Sequence, residues 1–189
     1  MNSSAPARYL GVCLLVFTAV ITSGYDQGPR IVQAVRTWSG ADSQATESGY
    51  FCVVSQDEWV SLWKQHAGVG SAVPKVNFDT DLVVAVFETQ GFSSYGVRLS
   101  YILQERDGLS VHVTSETYQS ASLLGAPQGT PVPRGAPYGI FVIPRMAKSL
   151  SIVESWSETL WGGPMVCRER ARFTIDGNKI KTEYLPDRR

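Results

Sequence analysis

The two histidines of this chain are the first residues to consider for catalysis. A serine or cysteine nucleophile needs a general base beside it, and the sequence contains His66 and His112. His66 comes at the end of a helical pattern, where a packing or capping role is typical. His112 falls on the outward side of an alternating strand, where we expect it in solvent. The signatures of α/β-hydrolases, zinc proteases, P-loop proteins and dinucleotide-binding proteins do not occur. We therefore predict a protein that is not an enzyme and that uses no cofactor.

Paired carboxylates could support sugar hydrolysis or calcium binding, so the acidic residues need the same check. Three close pairs stand out in the sequence: Asp57 with Glu58, Asp79 with Asp81, and Glu105 with Asp107. A helix start explains the first pair, a strand start explains the second, and a turn explains the third. A calcium site at Asp79 and Asp81 would need oxygen ligands that the neighbouring sequence does not offer. We predict neither hydrolase activity nor a metal site.

The first 24 residues have the order of a secretory signal peptide. Residues 1–8 are polar with one positive charge, residues 9–21 are almost uninterruptedly apolar, and residues 22–24 are small. The apolar stretch is too short to span a bilayer, which takes about 20 residues. We expect cleavage between Gly24 and Tyr25, or at a nearby site. The protein is therefore predicted to be secreted or periplasmic, in the cell envelope, with no membrane span in the mature chain.

The three cysteines fall into two groups. Cys13 follows a segment similar to a lipid-attachment site, but most of the apolar stretch comes after it, which disfavours lipidation. Loss of the leader leaves Cys52 and Cys167 in an oxidising compartment, where two remaining thiols usually pair. We predict a disulfide between them. The alternative is two separate buried thiols, and no CxxC or histidine-rich spacing indicates a metal site.

The composition indicates one folded domain without a strong electrostatic attraction for a polyanion. Hydrophobic residues make up 43% of the 189 residues, which is enough for a substantial core. Seventeen Lys and Arg residues balance seventeen Asp and Glu residues. Net charge therefore gives no reason to expect nucleic acid as a partner. The alternating run Arg168, Arg170 and Arg172 is expected to be a solvated strand face.

A helix and a buried strand are the clearest elements of the chain. Ser55 and Glu58 form a capping-box pattern, which predicts a helix start. Trp59 and Trp63 lie one helical turn apart on the apolar side of this helix, so we predict that they anchor the core. The apolar run in residues 81–89 predicts a strand that is buried on both faces.

The next segment predicts a β-hairpin. Residues 95–104 alternate, and the predicted inward side chains are Val97, Leu99, Tyr101 and Leu103. The turn at Asp107-Gly108 leads to a return strand that continues the inward face.

These elements predict an α+β fold, with an antiparallel β-sheet and one main α-helix packed on it in a single domain. Residues 25–49 form an N-terminal arm with one strand, at residues 31–38, and a flexible connection. The α+β domain takes residues 50–189 and includes a C-terminal hairpin at residues 171–184. The loop at residues 119–136 is long and rich in Gly and Pro, which is typical of a functional loop.

Four stretches between residues 58 and 145 share their order and spacing with a known family. They are Glu58, Trp59, Leu62 and Trp63; residues 76–79 leading into 83–86; Ser94-Tyr95 followed by Asp107-Gly108; and Pro137-Tyr138 running to Ile143-Pro144-Arg145. Together they resemble the C-terminal domain family named after PrcB, a subunit of a bacterial cell-surface protease complex. That family often has paired glycines where this chain has Ser93 and Ser94.

The resemblance implies a bacterial, extracytoplasmic and non-catalytic module. Its expected role is protein interaction, as an accessory or stabilising component of a complex, and the expected partner is a secreted protease or its complex. One alternative is a protease inhibitor that uses the loops at residues 91–95 and 119–136. A second alternative is a small-ligand or glycan binder, which would need a deep aromatic-lined pocket.

Four aromatic residues are the candidate binding residues of this interpretation. They lie at predicted junctions of loops and strands: Phe92, Tyr95, Tyr118 and Tyr138. Such residues either plug the end of a sheet or form a binding patch. If they cluster beside the loop at residues 119–136, that end of the sheet becomes the expected protein contact.

Overall fold

The structure is a computed structural model that describes residues 28–89, 94–117, 136–157 and 164–185. The described residues form ten strands and one helix, α1, at Gln56–Ala67. The strands are β1 Arg30–Val32, β2 Arg36–Ser43, β3 Gly49–Val53, β4 Asp81–Phe87, β5 Ser94–Gln104, β6 Leu109–Thr117, β7 Ala136–Pro144, β8 Ser149–Ser157, β9 Met165–Asp176 and β10 Lys179–Tyr184.

The predicted α+β fold is wrong, because the protein is mostly β-sheet. Strands make up 60% of the structure and helix 9%, and the strands form two sheets instead of one. Sheet A has the order β1-β5-β6-β8-β9-β10, and sheet B has the order β2-β7-β4-β3. Sheet A is mixed, because β6 and β8 run parallel while its other neighbours are antiparallel. The helix is present where the capping box predicts it, but it covers only one face of the smaller sheet.

The two sheets pack face to face around the larger core. Sheet B contributes buried side chains such as Leu82 and Phe141, and sheet A contributes side chains such as Ile152 and Phe173. The alternation of each strand places these residues on its inner face. The protein is therefore a β-sandwich with a helix as a third layer.

The helix packs on the outer face of sheet B through its tryptophans. Trp59 and Trp63 are 0% and 8% exposed, and their rings contact each other and the ring of Trp38 on β2. The Trp59 indole donates a hydrogen bond to the carbonyl of Pro74 at 2.8 Å. A buried aromatic of this size removes about 200 Å² from water. The helix is thus held to sheet B mainly by apolar contact.

The helix start uses part of the predicted capping box. The Ser55 hydroxyl donates to Glu58 Oε2 at 2.8 Å, and no side-chain bond runs forward from Ser55 to the helix backbone. Asp57 and Glu58 lie in the first turn, where their negative charges interact favourably with the positive end of the helix dipole. The helix ends at Gly68, whose φ of 91° is accessible mainly to glycine.

Strands β4 and β7 form the centre of the fold. Residues from Leu82 to Phe87 are all buried, as are those from Ala136 to Ile143. Alternate side chains face the inter-sheet core and the helix, which confirms the prediction that the apolar run at residues 81–89 is buried on both faces.

The N-terminal part of the described chain differs from its predicted pattern. The alternation at residues 31–38 predicts one strand, whereas β1 pairs with β5 in sheet A and β2 pairs with β7 in sheet B. The chain therefore crosses between the sheets within this segment. Near the other end of β5, Gly96 has a φ of 129°, and an added Cβ would lie 2.6 Å from the Gly40 nitrogen. This close approach of β5 to β2 needs a residue without a side chain.

Candidate binding groove on sheet A

The outer face of sheet A carries an open groove with a volume of about 400 Å³. It crosses β6, β8 and β9, and its lining includes Ser110, His112, Ser151, Val153, Glu169 and Arg172. These side chains alternate with core residues along their strands, so they face away from the sandwich. Among the described residues, no helix or strand packs over this face, whereas α1 covers the outer face of sheet B.

A stacked pair of rings lies at one side of the groove, whose lining includes His112 but not Tyr101. Tyr101 on β5 is 41% exposed, and its ring centroid lies 4.1 Å from that of His112 on β6, with 20° between the planes. A bulge creates this pair: Leu99 lies opposite Val113, but Tyr101 lies opposite His112, which leaves Ser100 as the extra residue. Beyond the bulge, Ile102 turns into the core and Tyr101 turns outward.

The electrostatics of His112 favour its neutral form. Burial lowers the pKa of the imidazole, and the carboxylate of Glu105 opposes that shift only in part. The Nδ1 atom is buried and has no hydrogen-bond partner. A buried polar atom without a partner costs free energy, and a ligand or water molecule can remove that cost. His112 therefore offers an unused hydrogen-bonding atom in the wall of the groove.

The remaining polar groups are held in place by bonds to one another. Ser110 Oγ donates to Glu105 Oε1 at 3.0 Å. On the opposite wall, Arg172 donates to both oxygens of Glu169 at 2.9 and 2.8 Å. Arg172 is half exposed, so this pair contributes little to stability and still leaves polar groups at the rim. The groove thus has fixed polar walls and an aromatic pair at one side, which suits binding.

The predicted aromatic patch does not form from the residues that the structure describes. Tyr138 is only 9% exposed and packs against His66 and Phe87 on the helix side of sheet B. Tyr95 is 55% exposed at the start of β5. Phe92 and Tyr118 lie outside the described residues.

His66 has a packing role in the structure. Its Nδ1 lies 3.0 Å from Ser43 Oγ, and its ring centroid lies 4.1 Å from that of Tyr138. Ser43 is completely buried and already accepts a hydrogen bond from the backbone N–H of Ala45. A substrate cannot reach a hydroxyl in this position. The Ser43–His66 contact therefore ties the chain after β2 to the end of α1.

Cys52 and Cys167 are free thiols in the structure, which therefore does not contain the predicted disulfide. Cys52 lies opposite Val84 and packs against the core between the sheets. Cys167 is exposed, and its Sγ lies 3.4 Å from Ser155 Oγ on β8. The alternation of β8 puts Ser155 on the face opposite to Ile152, which is a core residue. The two thiols thus lie on opposite sides of sheet A.

Within the described ranges, no group of three or more His, Cys, Asp or Glu side chains could hold a metal ion. In the same ranges, the helix is too short and too polar to cross a membrane.

The sequence predictions missed Tyr101 and the groove around it. The alternation of β5 put Tyr101 inward, and only the bulge at Ser100 reverses that direction. A mismatch is visible in the sequence, since regular alternation would place the apolar Ile102 in solvent.

The chain was also compared with models of protein families, with curated proteins and with solved structures, and none of the three comparisons finds a match.

Proposed function

We propose that this protein is a non-catalytic interaction domain that acts outside the cytoplasm and binds a protein partner in the groove on sheet A. The single observation that carries this proposal is the pairing of Tyr101 with His112 on an open sheet face, beside a buried Nδ1 atom without a partner. The resemblance to the PrcB C-terminal domain family supports a secreted protease or its complex as the partner.

The shape of the groove favours a loop or an extended segment of a protein as the occupant. The groove is open, so it does not enclose a small molecule in the way that ligand pockets usually do. Aromatic side chains such as Tyr101 commonly supply the central contacts of protein interfaces. Ser110 and Ser151 on the floor can donate or accept hydrogen bonds from a peptide backbone.

Co-purification of a tagged chain from the native envelope fraction tests this proposal. A Tyr101→Ala variant should lose the partner while its unfolding curve changes little, because Tyr101 lies on the surface. The matched control is Tyr184→Ala, which removes a similarly exposed tyrosine on β10. Equal recovery of the partner with both variants would argue against the groove, and so would a chain recovered only as a free monomer.

The two alternative functions have less support from the described residues. The inhibitor hypothesis depends on loops that lie almost entirely outside the described residues. The glycan hypothesis requires a deep aromatic-lined pocket. The two larger cavities among the described residues are open, and His112 is the one aromatic side chain among the described residues that line the groove on sheet A.

A further inference from the structure

A second cavity opens at the end of the sandwich where β4 ends. Its volume is about 400 Å³, and both sheets line it. We call it the end pocket and define it by five polar residues: Tyr50 on β3, Glu88 after β4, Ser115 on β6, Glu154 on β8 and Arg170 on β9. These residues are far apart in sequence and converge only through the pairing of the strands.

Both carboxylate oxygens of Glu154 already have partners in this pocket. Its Oε1 accepts a hydrogen bond from the Tyr50 hydroxyl at 2.6 Å, and its Oε2 accepts one from Arg170 Nε at 2.6 Å. The Arg170 and Glu154 side chains are 21% and 19% exposed, so the ion pair is largely shielded from water. The expected solvated face around Arg170 is therefore incorrect. Both oxygens of Glu154 are therefore engaged, and its charge is paired with that of Arg170.

Glu88 differs from Glu154, because one of its two carboxylate oxygens has no hydrogen-bond partner. Its Oε1 accepts a hydrogen bond from the Ser115 hydroxyl, but its Oε2 is buried without a hydrogen-bond partner. Arg170 donates to Glu154, and the described groups that shift the pKa of Glu88 include no cation. A buried carboxylate is costly unless a cation or hydrogen-bond donors satisfy it. Among the described residues, Glu88 Oε2 is therefore left without a donor, and a positively charged group that carries N–H donors would satisfy it.

We propose that the end pocket binds a primary ammonium group against Glu88. One free carboxylate oxygen suits the compact charge of an ammonium, whereas the planar fork of a guanidinium needs two. The Tyr50 hydroxyl, which donates to Glu154, retains lone pairs that can accept a second N–H. Val86 and Phe87 also line the pocket and can contact an alkyl stem. A lysine side chain of a protein and a free alkylamine both provide this chemistry.

Binding of the ammonium should be coupled to loss of a proton. Burial raises the pKa of Glu88, and the negative charge of Glu154 raises it further, while the hydroxyls of Ser115 and Ser94 lower it. Tyr50 and Arg170 also face the pocket, and both are engaged with Glu154. An alkylammonium stays charged up to about pH 10. Its affinity should therefore rise about tenfold per pH unit below the pKa of Glu88 and level off above it.

The test uses n-butylammonium as the probe at constant ionic strength. The carboxyl ¹³C signal of Glu88 is followed by NMR through a pH titration, with and without the probe. We expect the probe to lower the pKa of Glu88, and we expect Glu88→Gln to weaken binding at least tenfold. The control is Glu116→Gln, which removes an exposed carboxylate paired with Arg98 on sheet A and should leave binding unchanged. The titration of the unmodified protein does not depend on the folding of any variant.

Three results would overturn the proposal. They are an unchanged Glu88 pKa with the probe at up to about 0.1 M, equal binding to the Glu88→Gln variant, and equal binding of 1-butanol or tetramethylammonium. A short lysine peptide that binds more tightly than butylammonium supports a lysine of a partner as the source, and equal affinities support a free amine. Tyr101→Ala should leave all these values unchanged, since the end pocket is separate from the groove on sheet A.

Discussion

Tyr101 and His112 lie side by side on the outer face of sheet A, 4.1 Å apart between ring centroids, because Ser100 forms a bulge in β5. If the regular register from Leu99 and Val113 continued, Tyr101 would lie opposite Val111 and face the core. A bulge reverses the direction of every side chain that follows it until the strand ends. One residue thus exposes an aromatic ring and, in exchange, buries Ile102 completely.

The contact between α1 and sheet B should dominate the stability of this part of the fold. Trp59 is fully buried, so Trp59→Ala would leave a large cavity and remove the bond to Pro74. We expect a loss of about 3–5 kcal/mol in the free energy of unfolding, measured by urea denaturation. Val69→Ala, at an 84% exposed position just after the helix, should cost less than about 0.5 kcal/mol. Similar losses for both variants would contradict this packing.

The close approach of β5 to β2 predicts an unusual sensitivity at Gly96. An alanine there would combine an unfavourable φ with a Cβ only 2.6 Å from the backbone of Gly40. We expect Gly96→Ala to destabilise the protein by about 2 kcal/mol or more. Gly70→Ala is the control, because nothing lies within 4 Å of its added Cβ and its φ is ordinary. A tolerated Gly96→Ala would mean that the two strands are further apart.

The two histidines should make the protein less stable in mild acid. Burial lowers the pKa of His66, and the charge of Asp42 opposes that shift. Burial also lowers the pKa of His112. The unfolded chain therefore binds protons more readily, starting near pH 6.5. The contribution of the two histidines to the free energy of unfolding should be fully present above that pH and should decrease as the pH drops below it. His66→Gln should make the decrease between pH 7.5 and 5.5 smaller, and an unchanged decrease would contradict this account.

The free thiols predict a clear difference in reactivity. Cys167 is exposed and should react with iodoacetamide in the folded protein without prior reduction. Burial raises the pKa of Cys52 to about 12, so its thiol should react only after unfolding. Mass spectrometry of the digested protein distinguishes the two sites. Protection of both cysteines until a reductant is added would show a disulfide instead.

Local patterns could predict a good part of this fold. The helix at Ser55, the hairpin at Asp107-Gly108 and the doubly buried strand at residues 81–89 all depend on neighbouring residues, and the structure contains each of them. The second sheet depends on pairings over long distances, such as the parallel pairing of β6 with β8. Hydrophobic alternation indicates which side of a strand is buried, but it does not show which strands are neighbours. It is therefore equally consistent with one sheet and with two sheets.

The sites were harder to predict than the elements. The aromatic pair beside the groove on sheet A depends on the bulge at Ser100, which interrupts a pattern that would otherwise place Tyr101 in the core. The end pocket brings Glu88 and Glu154 together from different sheets, although 66 residues separate them in the sequence. Glu88 alone is typical of a strand end, and Glu154 lies within β8. Only the packing of the two sheets buries Glu88 Oε2 without a hydrogen-bond partner among the described residues.

Photo-crosslinking from position 101 tests the central claim most directly. Tyr101 is replaced with the photoreactive benzoylphenylalanine, and the native envelope fraction is irradiated. The matched control carries the same group at Val69, which is exposed beside α1, on the sheet B side of the molecule. We predict one crosslinked protein from position 101, none from position 69, and loss of the crosslink when His112→Ala is added. Equal crosslinks from both positions, or none from position 101, would contradict a partner bound in the groove on sheet A.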